Sequence, residues 1–154
     1  MTMEPPIMGI LAPNASMASQ LRYLLETNWS LNSPGLTDIT WLETKFDAAS
    51  NLPGNLIVAC YNPASPTTSE SLTTNVLELL EDIVIDIIVP TSAGTAAAIN
   101  MREAMRQQVY TIVQENYSGI PGSDIWPFRE KEKIESPQAV RLTIMVRCRT
   151  FLST

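Results

Sequence analysis

The end of the chain constrains the fold more than any other stretch. Between Ala139 and Leu152, the residues Val140, Leu142, Ile144, Val146, Cys148 and Leu152 are interleaved with Arg141, Thr143, Met145, Arg147, Arg149 and Phe151. A period of two belongs to a strand with one buried face; apolar residues of a helix recur every three or four positions instead. The first set is therefore expected to point into a core and the second outward. This run is long beside the usual strand of about five or six residues. A strand that outlasts its sheet projects toward a partner, so its end is expected near a subunit interface. The segment before it, Ile125–Ile134, carries the charges Arg129, Glu130, Lys131, Glu132 and Lys133 and reads as the first arm of a hairpin whose turn is Glu135-Ser136-Pro137-Gln138.

That hairpin needs further strands and a covering layer. Val76–Pro90 supplies one strand, with Ile83, Ile85, Ile87 and Val89 on one side and Val84, Asp86 and Ile88 on the other. Leu56–Tyr61 is a short, nearly continuous apolar run, which suits a central strand covered on both faces. Asp38–Phe46 alternates, with Ile39 and Trp41 opposed to Leu42 and Phe46, and is a further strand. Helical spacing appears twice. Met17, Leu21, Leu24, Leu25 and Trp29 follow Ser16, a natural N-cap. Ala97, Met101, Ala104, Met105, Val109, Ile112 and Val113 follow the capping run Thr91–Thr95, with Arg102, Glu103, Arg106 and Gln107 on the opposite, solvated or interfacial side. Asn62–Thr74, rich in Pro, Ser and Thr, reads as an exposed loop, either a linker or a recognition element. The expected fold is α+β: a mostly antiparallel sheet of four to six strands packed by two main helices. It forms a single domain over residues 16–154, preceded by an N-terminal arm, residues 1–15.

Composition bears on function chiefly by exclusion. The chain has no histidine, which removes Ser-His and Cys-His pairs and the commonest general base. No glycine-rich phosphate loop, GxSxG or CxxC motif is present, so nucleotide binding and acyl transfer have no handle. Cys60 and Cys148 lie in apolar runs and read as small buried hydrophobes. No enzyme activity, cofactor or metal is expected. A net charge of −6 and a pI near 4.6 argue against a general nucleic-acid binder. Pro5, Pro6 and Pro13 and the lack of a basic N-terminal region make residues 1–17 a poor signal peptide, and the apolar run Val76–Pro90 is broken by Glu78, Glu81, Asp82 and Asp86, which excludes a spanning helix.

Two clusters remain as candidate sites. Glu78, Glu81 and Asp82, with Asp86, could hold a divalent cation, but their spacing fits no known loop pattern, and acidic residues that keep an apolar segment soluble explain them as well. Arg141, Arg147 and Arg149, on one side of a long strand, can form directional pairs with carboxylates or phosphates. They read as a solvated face, as an interface meeting a neighbour's acidic surface, or as a contact with passing nucleic acid. Arg129, Lys131 and Lys133 extend the same candidate interface. Residues 1–100 hold two basic against ten acidic residues and residues 101–154 eight against six. Such a split suits subunits that meet head to tail, and equally a chance distribution over one surface.

The order of elements resembles that of the tail-terminator or tail-completion (neck) proteins of tailed bacteriophages. Asp82-Ile83-Val84-Ile85-Asp86-Ile87-Ile88-Val89 leads into the helix of 94–116, and Ala139-Val140-Arg141-Leu142-Thr143-Ile144-Met145-Val146-Arg147 closes the chain. The resemblance implies a non-enzymatic virion subunit, assembled in the host cytoplasm, that forms a homo-oligomeric ring, commonly a hexamer. It would cap the tail tube protein and meet neck or head-completion proteins, with DNA passing through the lumen without specific binding and no membrane partner. Another neck or baseplate protein, or a small ligand-binding or enzymatic α+β domain, are the alternatives.

Overall fold

A computed structural model describes residues 16–30, 39–45, 56–63, 67–73, 76–92, 94–120, 122–136 and 138–153. The N-terminal arm and Phe46 lie outside the described residues. Within them the chain runs α1 (Met17–Asn28), β1 (Ile39–Leu42), β2 (Leu56–Tyr61), β3 (Thr67–Thr73), β4 (Val76–Pro90), α2 (Thr95–Glu115), β5 (Ser123–Ser136) and β6 (Ala139–Ser153). Side chains of 67–73, 76, 77, 133–136, 152 and 153 are not described.

The alternation of β6 dictates the centre of the sheet. β6 lies antiparallel to β4 along their whole length, from Val76 opposite Ser153 to Pro90 opposite Ala139. The sheet order is β1-β2-β4-β6-β5, with β3 also paired to β4. Only β1 and β2 run parallel among the described pairs. The fold is thus α+β, two helices against one mixed, mainly antiparallel sheet.

One expectation is corrected at Asn62–Thr74, which contains a strand rather than only a loop. β2 pairs with residues 84–88 of β4, and β3 pairs with residues 76–80 of the same edge. The two short strands thus follow one another along one long one. Polar Ser and Thr suit an edge strand, where one side of the backbone meets water, and register shifts between Thr68 and Thr73 interrupt that edge.

The helices cover one face. Ile83, Ile85, Ile87 and Val89 of β4 and Val140, Leu142, Ile144, Val146 and Cys148 of β6 pack with Leu21, Leu24 and Leu25 of α1 and Met105, Val109 and Val113 of α2. Ser16 caps α1 as its position implied, its hydroxyl accepting from the Ser19 amide. α2 begins differently. Gly94 is its N-cap, at φ 105° and without a side-chain cap, while no atom lies within 4 Å of where a Cβ would stand. Backbone conformation rather than space therefore calls for glycine there. Around α2 the buried set is Ala98, Arg102, Met105, Val109, Ile112 and Val113, and Ala97 is exposed. The core stripe is rotated by one residue from the expected one at the start of the helix and takes in Arg102, because β5 packs against that flank.

Leu142 and Ile144 lie at the centre of this core, 2% and 0% exposed. Replacing either by alanine is expected to cost about 2–5 kcal/mol through lost transfer energy and the cavity left behind. Urea unfolding of each variant measures this, and a loss within error of zero would mean that the face assigned to the helices is wrong.

Candidate assembly surface

The residues of β4 and β6 that alternate with the core form a second face, and its chemistry changes along the strands. At the β2 end it is closed. Ile57, Ala59, Ile88 and Ala139 form a separate apolar cluster, all fully buried, with Leu42 and Tyr61 against it. Asp86, which faces this side, has no solvent exposure. Arg141 donates from Nη1 to Asp86 Oδ2 at 2.7 Å, the Thr143 hydroxyl to Oδ1 at 2.7 Å, and the Tyr61 hydroxyl to Oδ2 at 2.9 Å. Arg141 itself is 5% exposed. This corrects its expected position on an outward, accessible face: period two places it opposite the helices, but that face is covered here. A carboxylate can be kept in such a place only with its charge and lone pairs matched.

Further along, the same face opens. Asp82 stands directly opposite Arg147, and the Arg147 guanidinium reaches both carboxylate oxygens, Nε to Oδ1 at 2.9 Å and Nη2 to Oδ2 at 3.2 Å. Asp124 of β5 stands opposite Arg149 and accepts from its Nη2 at 3.0 Å, with Glu78 at 4.0 Å on the other side. The acidic and basic candidates are thus neighbours within one subunit. The uneven charge along the chain is met here by adjacent strands, β4 from the acidic part and β5 and β6 from the basic part. Glu81 points the other way, toward the helix side, where it accepts a hydrogen bond from Asn62. Burial holds its carboxyl above the ordinary carboxylate value, against the opposing effect of that bond.

Aromatic rings complete the open part. Arg147 lies over Phe128 at 4.3 Å, and Arg149 lies over Trp126 at 5.3 Å and over Phe151 at 5.2 Å. Tyr117 stacks on Trp126, ring centres 6.3 Å apart. Tyr117 and Phe151 are 44% and 41% exposed, among the few large apolar side chains left open to solvent. Arg129 and Lys131, opposite Met145 and Thr143 further along β5, are exposed, and neither forms an ion pair among the described residues. The side chain of Lys133 lies outside the described residues. Trp126, Phe128 and Tyr117 were not singled out from the sequence. The cue was present in Trp126-Pro127-Phe128, just ahead of the charged run, where it was outweighed by the charges that follow.

On the helix side, α2 is fastened to β5. Arg102 lies 2.9 Å from Glu132, and Arg106 and the Tyr110 hydroxyl donate to Glu130, both at 2.7 Å. Burial, then the bond to Glu130, pushes the Tyr110 hydroxyl up to about 12. Burial works to raise the Glu130 carboxyl, but the bonds from Tyr110 and Arg106 bring it below its ordinary value. Burial raises both thiols, Cys60 and Cys148.

No group of three or more potential metal ligands occurs among the described residues, and none of the described helices is long and apolar enough to cross a membrane. What the surface offers chemically is recognition: flat aromatic rings, guanidinium groups held over them, and carboxylates at fixed spacing.

No protein-family model matches the chain, and no curated protein matches it in sequence. Among solved structures it is similar to a chain described as "Virion of native gene transfer agent (GTA) particle", with a TM-score of 0.53 at 14% identity, covering 91% of this chain and 100% of that one. At that identity the likeness concerns the fold, and it extends over the whole of the other chain.

Two outcomes are expected from this geometry. Asp86→Asn breaks the buried ion pair with Arg141 and is expected to cost about 3–5 kcal/mol, whereas the double replacement Asp86→Leu with Arg141→Met recovers most of the loss. Denaturant titration of the three proteins decides it, and a double variant no better than the single one would show that the pair is not coupled. Glu81→Gln should raise the melting temperature at pH 7. The folded state holds the proton on Glu81 more tightly than the unfolded one, so ionised Glu81 opposes folding above the carboxylate range. The advantage should shrink as the pH is lowered below about 4, where both states are protonated; a lower melting temperature at pH 7 would contradict the sign.

Proposed function

We propose that this chain is a structural subunit of a tailed-phage-like virion, and that its place there is the tail terminator. In this role copies close into a ring, commonly of six, which caps the tail tube and turns its other side to the neck or head-completion proteins. The supporting observation is the fold correspondence over the full length of a chain from a gene transfer agent virion. The element order noted in the sequence agrees with it. The chemistry of the second face is in keeping with such work. Aromatic residues and arginine are the types enriched where proteins bury surface against one another, and among the described residues no set of acids, bases or nucleophiles converges on an apolar cleft in the manner of a catalytic site.

Further parts of the proposal follow from the role. The subunit is not an enzyme, assembles in the host cytoplasm, resides in the virion, and lets DNA pass through the ring lumen without specific contacts. Residues 1–15 serve as an arm apart from the domain of residues 16–154.

The purified protein is expected to form rings, or to remain monomeric until it meets the end of a tail tube. Sedimentation velocity and negative-stain images, with and without tubes, show which. A compact two-fold dimer that never binds tube ends would count against the role.

A further inference from the structure

Resting on the ring reading above, we propose that neighbouring copies meet head to tail, with the aromatic and basic surface of β5 and β6 on one copy seated in the cleft between α1 and α2 of the next. A ring requires two different complementary surfaces on each subunit, because a contact between identical patches stops at a dimer.

The first surface carries unspent positive charge. Arg147 and Arg149 are already paired with Asp82 and Asp124, whereas Arg129 and Lys131 are exposed and have no carboxylate partner among the described residues. On the same sheet face, toward the Ser123 end of β5, the exposed rings of Tyr117 and Phe151 supply apolar area that water leaves readily.

The second surface lies on the other layer of the subunit. An open cleft of about 390 Å³ runs between the end of α1 and the C-terminal half of α2, lined by Asn28, Gln107, Gln108, Thr111 and Glu115. Glu115 is exposed and makes no ion pair among the described residues, in contrast to Glu103, which Arg106 holds at 3.1 Å. The cleft thus presents an unspent negative charge and carboxamides able to donate and accept. Its volume falls within the range of pockets that admit small molecules, enough for an aromatic side chain. Cations beside rings on one surface, and a carboxylate beside a cleft on the other, are complementary. Cations with aromatic rings also suit single-stranded nucleic acid, but the chain's net charge of −6 opposes a polyphosphate along its whole length, whereas the carboxylate of Glu115 is a single local charge.

The test uses two variants of the full chain, altered only at exposed positions. The surface variant carries Arg129→Ser and Phe151→Ser, which add no charge; the cleft variant carries Gln107→Lys and Glu115→Lys. Circular dichroism should show both folded. In mass photometry over a concentration series, each variant alone should self-associate at least about tenfold more weakly than the wild type. Mixed together, they should give a one-to-one dimer and nothing larger, since one intact contact remains between the unaltered cleft of the first and the unaltered surface of the second. Variants that assemble like the wild type, or a mixture that yields no dimer while the wild type forms rings, overturn the head-to-tail contact and leave the ring reading standing. A wild type that stays monomeric at every concentration also overturns this contact, while binding to tube ends would still uphold the capping role. Binding of a single-stranded oligonucleotide at physiological salt that is lost in the surface variant, with assembly unchanged, assigns the surface to nucleic acid and overturns the proposal.

Discussion

Fifteen consecutive residue pairs join β4 to β6, from Val76 opposite Ser153 to Pro90 opposite Ala139, and the other elements take their places from this ladder. Its period of two sorts side chains onto two faces. One face is aliphatic and draws both helices onto it; the other carries Asp82, Asp86, Arg141, Arg147 and Arg149. A slip of one residue would turn Asp86 into the aliphatic core and Ile85 or Ile87 out of it, an exchange no neighbouring group could offset. The buried contacts of Asp86 with Arg141, Thr143 and Tyr61 therefore favour one register. They also tie three strands together, since Tyr61 comes from β2, Asp86 from β4 and the other two from β6.

The length of the ladder has its own consequence. Strands β2 and β3 must share one edge of β4, and the apolar cluster with the helices draws on Ile83 to Val89 of β4 and Val140 to Cys148 of β6. Beyond it the sheet continues as an arm. Arg141, Arg147 and Arg149 occupy the same face, six and two residues apart, yet Arg141 is closed off near β2 while Arg147, at the rim of that cluster, and Arg149, beyond it, lie partly open. Distance along the ladder, rather than residue type, separates an arginine that belongs to the interior from two that are offered to solvent.

This also explains what could be recognised in the sequence. The alternation of β6 and of Ile83–Val89 is a local property, so both strands and their core faces were evident, as were both helices and the hairpin turn. Arg141 was misplaced because a repeat distinguishes the two sides of a strand without telling whether the second side is covered. Arg102 was misplaced for a related reason: a helix bundled against a sheet edge buries a wider arc than its apolar stripe, and the long guanidinium stem packs while its head reaches Glu132. β3 escaped notice because Ser and Thr signal exposure, and an edge strand is exposed. The aromatic surface needed three separate segments, Tyr117, Trp126–Phe128 and Phe151, to be brought together, which the pairing of β5 with β6 does together with the Ile125 amide donating to the Tyr117 carbonyl.

The ion pairs on the arm bear on what this surface can do. Exposed pairs contribute little to stability, so Asp82 with Arg147 and Asp124 with Arg149 do little to hold the sheet together. Their effect is on order. Each carboxylate stands directly opposite its arginine across the ladder and holds the guanidinium over an aromatic ring, Phe128 for Arg147 and Trp126 for Arg149. Long side chains that are free in solution lose about 0.5–1.5 kcal/mol each on being immobilised at an interface. Here much of that ordering is done before any partner arrives. Trp126 stands opposite Arg147 on β5, and Phe128 follows at a register shift in the same pairing. In the proposed role, a surface organised in this way gives up little freedom on binding, so the pairing that fixes the fold also readies that face for a partner.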